Sequence, residues 1–331
     1  MKRMFRNIAV LAAMMLMFVF DMQGQVDAQL SQYWAIPTYY NAGASGSSDY
    51  LRINGGARLQ WLGIENAPQS FLGQVDMPLN LFGKRIGVGA GLQSETMGLF
   101  SNLNINAQFS YKIKLLKGEL SIGAQVGYFE QKFKGSEVEV PDDDDYHDSS
   151  DQAIPTQDLK GGTVDVSAGI FYTHKYFWVG VSGLHLLQPT VKMGLEGSES
   201  TASQEYETVV PRTLYFMGGS NIPLKNTLIT IQPSVMIMTD LVSYRTDITA
   251  KGCYKYKNRT FFGGATYSPS TSVAMFLGIE VMNITLSYGY ELFTSGVGPS
   301  HGNHDIYLGY DFDFDIFKKG KNKHNSIRVL Q

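Results

Sequence analysis

The residues in this 331-residue chain that could carry chemistry are few, and their spacing decides little by itself. The densest group is Glu137, Glu139, Asp142 to Asp145, Asp148, Asp151 and Asp158. Clustered carboxylates can ligate calcium, but an EF-hand loop needs alternating ligands around a central glycine, and that pattern is missing. A solvated acidic loop is the competing reading. There are six histidines, with no His-Glu-x-x-His run and no Gly-x-Ser-x-Gly elbow to select a nucleophile and base. His174 and His185 could serve a serine on a neighbouring strand, yet no spacing singles out a triad. The one cysteine, Cys253, can form neither an intrachain disulfide nor a cysteine-rich metal site. No catalytic, cofactor or metal residue is therefore assigned.

The polar and charged set Arg52, Asn54, Arg58, Gln60, Gln74, Asp76, Glu95, Asp165, Arg245, Asp247, Glu280, Asp311 and Asp313 mixes both signs at alternate positions. Gathered on one side of a closed sheet, it would make either an internal ion network or a selective pore. The net charge of -3, with no basic run inside the body of the chain, excludes nucleic acid as a partner.

Those positions alternate because the elements that carry them have a period of two. Leu103, Ile105, Ala107, Phe109, Tyr111 and Ile113 fall on one side; Asn102, Asn104, Asn106, Gln108, Ser110 and Lys112 fall on the other. A strand sends one set to lipid and the other to a polar lumen, whereas a helix would scatter both. The stretches around 120–128, 164–173, 283–291 and 305–314 repeat the pattern. About fourteen strands are predicted, over 51–62, 67–79, 83–95, 100–113, 118–132, 162–174, 176–187, 206–218, 226–239, 242–251, 258–268, 271–281, 282–292 and 303–315. Pro211 and Pro233 interrupt the eighth and ninth and suggest bends or rim positions. The mean hydropathy of -0.11 fits, because only alternate residues need be apolar, and 35 Gly, 19 Tyr and 19 Phe suit packed strands with aromatic girdles. The long connections, about 133–161, 188–205 and 293–302, are all odd-numbered, so they should face outward from a barrel with both termini in the periplasm.

Lys2, Arg3 and Arg6 precede the apolar run Ile8–Phe20, which is short of the roughly 20 residues of a helical span. With Val26-Asp27-Ala28 behind it, this reads as a signal peptide over 1–28, cut after Ala28; a single anchor helix is the alternative. The expected organisation is then a plug or periplasmic segment at 29–50, an outer-membrane barrel at 51–317 and a basic periplasmic tail at 318–331. Arg58 and Asp76 share lumen parity on adjacent strands and are expected to pair. Trp61 takes lipid parity at a strand end. His304 and Asp305 should lie at the outer end of the last strand, where it closes on the first.

Two blocks exceed generic barrel pattern. One runs from Gln29 through Gln32-Tyr33, Pro37, Asn41 and Gly46 to Arg58-Leu59-Gln60-Trp61, Pro68, Asp76-Met77-Pro78 and Gly87–Gly91. The other is Gly302-Asn303-His304-Asp305. Together they resemble the PorP/SprF family of Bacteroidetes outer-membrane proteins, over about 29–315. Gln32, Tyr33, Pro37, Asn41, Arg58, Gln60, Trp61, Pro68, Asp76, Pro78, His304 and Asp305 sit where the family motifs place them. Asn41-Ala42-Gly43 stands where Asn-Pro-Ala is common, and Asn303-His304-Asp305 where Ser-His-Glu is. The resemblance implies a non-enzymatic, cofactor-free barrel of the type IX secretion and gliding machinery. It further implies periplasmic ring components and a peptidoglycan-binding lipoprotein as partners, and secreted or surface adhesins as cargo. A passive porin or hydrophobic-solute channel is the rival expectation.

Overall fold

A computed structural model describes residues 27–138, 155–195, 206–225, 227–294 and 302–313. Most of the expected signal peptide, the core of the acidic loop at 139–154 and the basic tail lie outside the described residues. The strands are β1 (Leu51–Leu59), β2 (Gln69–Leu81), β3 (Lys84–Met97), β4 (Phe100–Leu115), β5 (Gly118–Phe133), β6 (Leu159–Thr173), β7 (Phe177–Leu184), β8 (Thr190–Leu195) and β9 (Tyr206–Val209). They continue with β10 (Thr213–Ser220), β11 (Ile222–Pro223), β12 (Ile229–Thr239), β13 (Tyr244–Tyr256), β14 (Arg259–Ser268), β15 (Ser272–Val281), β16 (Ile284–Phe293) and β17 (Asn303–Phe312). All but β8, β9 and β11 form one closed, fourteen-strand antiparallel barrel. It is sealed where β1 meets β17, from Leu51 opposite Phe312 to Leu59 opposite His304. Closure gives every wall strand a neighbour on each side, although β6 meets β7 only over Ala168–Thr173 and β8 only at Leu159 and Lys160.

The alternation has its expected consequence, and it inverts a soluble protein. On β4, Asn102, Asn104, Asn106 and Gln108 are buried inside, while Ile105 and Phe109 are about half exposed outside. A water-soluble sheet could not tolerate that arrangement; a bilayer requires it. At one end the turns are tight. Phe82-Gly83, Leu116-Lys117 and Met282-Asn283 all have positive φ at both positions, as two-residue hairpins of this twist demand. The long connections lie at the other end, as the strand parity predicted.

Two prolines behave differently from one another. Pro211 ends the expected eighth strand: Tyr206–Val209 does not join the wall but pairs with β8 in a hairpin whose Val191 and Met193 pack against Phe129 and Leu159, so only Thr213–Ser220 joins the wall. The connection at 188–205, expected to be a loop, thus contains a strand. Pro233 stays inside β12. It pairs with Ala250 on one side, while on the other it falls between the ladders to β10 and β11, where its missing N–H is not needed.

Candidate functional site: the occupied lumen

The segment from Asp27 to Ser47 does not extend as a strand; it enters the barrel. Pro37 opens a one-turn helix, Pro37–Tyr40; Asn41 ends it by donating its backbone N–H to the Pro37 carbonyl at 3.0 Å, and its side chain starts the next turn by accepting the Gly43 N–H at 2.8 Å. Tyr33, Ile36, Tyr40 and Ala44 are fully buried and pack on wall residues that include Phe171, Trp178, Tyr215 and Met217. Trp34 packs edge-on against Phe262, with the Lys251 ammonium 3.5 Å above its ring. Aromatic bulk on this segment therefore makes it a plug.

Polar bonds fix the plug at each level. Ser31 donates to Asp305 through both its N–H and its hydroxyl. Gln32 accepts from Ser287 at 2.6 Å, and Tyr33 bonds Ser234 at 2.9 Å. The Asn41 amide reaches the carbonyls of Ile170 at 3.0 Å and Val181 at 3.3 Å, tying the plug to β6 and β7. Gly46 donates to Asp76 at 2.8 Å. The wall is thinned where the plug passes: a Cβ on Gly87 would lie 1.9 Å from the Ser45 carbonyl oxygen, and one on Gly123 would lie 2.3 Å from the Gly43 nitrogen.

Behind the plug stands a buried ion network. Arg58 binds Asp305 at 3.1 Å and Glu291 at 2.5 Å. Arg245 bridges Asp247 at 2.8 Å and Glu291 at 3.1 Å. The expected Arg58–Asp76 pair does not form. Register places Arg52, not Arg58, opposite Asp76, and those two pair at 2.9 Å; Arg58 lies opposite Ser70 on one side and Asp305 on the other. Glu291 and Ser31 were not singled out in the sequence, although Glu291 shares parity with lumen-side Ser287 and was legible there.

The remaining motif positions lie along the β1–β17 seam and on β1, β2 and the loop between them. His304 and Asp305 do lie at the outer end of β17 beside β1, but on opposite faces: His304 bonds Tyr288 at 2.7 Å outside, and Asp305 is buried inside. Trp61 is not a strand residue; β1 stops at Leu59, and Trp61 sits in the following turn with φ 46°, its ring 6.1 Å from Phe293. Gln60 donates its N–H to the Pro68 carbonyl at 3.0 Å, closing that loop. Pro78 lies opposite Gly87 in β2, beyond the last β1–β2 pair, where a missing N–H costs nothing. Among the described residues no group of three or more His, Cys, Asp or Glu is placed to hold a metal ion.

His185 is a second lumen feature. Its Nε2 lies 3.0 Å from Asp27 and its Nδ1 3.0 Å from Asp165. Cleavage after Ala28 would remove Asp27 and leave the ring with Asp165 alone.

Among solved structures the fold is similar to a toluene transporter of Ralstonia pickettii, TbuX (9% identity, 84% of this chain and 94% of that one, TM-score 0.46). It is also similar to a FadL homologue of Pseudomonas aeruginosa (9%, 88% and 99%, TM-score 0.48). No curated protein sequence matches it. The model of the family described as "Type IX secretion system membrane protein PorP/SprF" matches residues 22–310, which takes in the plug motifs, the barrel and the Asn303-His304-Asp305 seam. On that match the chain belongs to the PorP/SprF family and is an outer-membrane, multi-pass β-barrel of the type IX secretion system.

Proposed function

We propose that this barrel is a non-enzymatic, plugged scaffold that supports secretion or surface anchoring of type IX cargo proteins, and with them gliding motility. The observation that carries the reading is the plug itself. A lumen crossed by Tyr33, Ile36 and Tyr40, and pinned to the wall by Ser31, Asn41 and Gly46, suits a docking element better than a conduit. Cargo adhesins would meet the outer loops. Periplasmic ring components and a peptidoglycan-binding lipoprotein would meet the short-turn end. The competing reading, a passive channel for hydrophobic solutes, needs a free path that the plug occupies.

A deletion strain tests this. Cargo with type IX sorting domains should disappear from the medium and cell surface and return on complementation. Normal secretion in the deletion strain, together with impaired uptake of an apolar solute, would replace the scaffold reading with the channel.

A further inference from the structure

The short-turn end of the barrel carries a chemistry that the plug and the ion network do not use. Three of its turn tips are almost wholly exposed apolar side chains: Phe82 at 95%, Leu116 at 81% and Met282 at 84%. Two-residue hairpins with positive φ favour Asn, Asp or Gly at such positions, so Phe, Leu and Met there are not explained by turn geometry. Exposed Tyr176, Leu224 and Tyr256 continue the series at three more turns.

Five of these six turns also carry an exposed cation: Lys84, Lys117, Lys175, Lys225 and Lys257. Among the described residues none of the five forms an ion pair. The long-loop end differs, since its lysines are matched: Lys134 with Glu137 at 2.8 Å, Lys160 with Glu130 at 3.1 Å and Lys192 with Glu207 at 3.1 Å. The unmatched cations follow the barrel perimeter from the β2–β3 turn round to the β13–β14 turn.

From this geometry we propose that the short-turn rim is a binding collar for anionic phospholipid headgroups of the inner leaflet. The lipid-facing stripe of β4, Phe109, Tyr111, Ile113 and Leu115, runs without a break into Leu116. The tips therefore sit at the edge of the hydrocarbon, where apolar groups dip inward and lysines stretch to the phosphates. A lipid annulus surrounds a barrel and explains cations on five successive turns. A single acidic protein would need them gathered on one sector.

The test uses the full chain reconstituted in phosphatidylcholine vesicles containing a trace of spin-labelled phosphatidylglycerol or spin-labelled phosphatidylcholine. The protein should immobilise the anionic label roughly three- to fivefold more strongly, and added salt should erase the preference. Changing Lys84, Lys117, Lys175, Lys225 and Lys257 to Gln should bring the ratio to about one while the heat-shifted gel band stays intact. A Lys134→Gln/Lys160→Gln variant should keep the preference. If the five-site variant does not fold, Lys117→Gln/Lys257→Gln alone should still lower the ratio. Equal immobilisation of the two lipids by the unaltered protein, or a preference that survives the folded five-site variant, would overturn the proposal. So would lysines protected from acetylation by an acidic periplasmic protein but not by anionic vesicles, which would reassign the rim to a protein.

Discussion

Replacing Arg58 by methionine is expected to cost the barrel about 3–5 kcal/mol, the usual penalty for leaving one member of a buried ion pair without its partner. Methionine keeps most of the volume, so the loss would report charge rather than a cavity. The two carboxylates around Arg58 would not suffer equally. Glu291 retains Arg245 at 3.1 Å and a bond from Ser272, whereas Asp305 is left with the N–H and hydroxyl of Ser31. Asp305→Asn on top of Arg58→Met should therefore recover a large part of the loss, and Glu291→Gln should recover less. The measurement is reversible denaturant unfolding in lipid vesicles, analysed as a double-mutant cycle. A single-mutant loss below about 1 kcal/mol, or equal rescue by the two carboxylate changes, would contradict this account of the network.

The second large effect concerns the plug. Deleting residues 29–46 should turn an electrically silent barrel into a conducting one. The segment's aromatic side chains leave, while the wall stays closed by its own strands and keeps a polar sector with Gln93, Asn104, Asn106 and Gln125. Single-channel recording in planar bilayers reads this directly. Gly87→Val is the milder form of the same experiment. Its Cβ would start 1.9 Å from the Ser45 carbonyl oxygen, so that the plug must shift from β3 and intermittent openings should appear. Steady conductance by the unaltered chain at the deletion variant's level would mean that the plug does not block the lumen, and the scaffold reading would lose its main support.

The wall was legible in the sequence because a strand in a bilayer has a strict rule: lipid on one side, polar contacts on the other. Asn102 to Ile113 obeys it residue by residue, and the predicted span of 100–113 falls within β4. Parity names a face without naming a neighbour, which is why Arg58 was matched to Asp76 when the register set it against Asp305. Trp61 was misplaced by extending parity beyond the true end of β1. The β8–β9 hairpin was invisible because its strands are only six and four residues long and touch the wall ladder at just Leu159 and Lys160. Residues 29–46 have aromatic and small residues but no period. Their burial could be guessed from composition, whereas their bonds to Ser287, Ile170 and Asp76 depend on a lumen that exists only after the sheet has closed.

That dependence bears on assembly. The seam of the barrel joins the first strand to the last, and Asp305 on the last strand holds Arg58 of the first together with Ser31 of the plug. Zipping the cylinder shut and seating its stopper are therefore coupled: a seam that closes without the leading segment leaves Asp305 with Arg58 but without the two Ser31 bonds, and a leading segment seated before closure has only part of its wall to grip. Closing the seam and filling the interior thus favour one another through a single carboxylate.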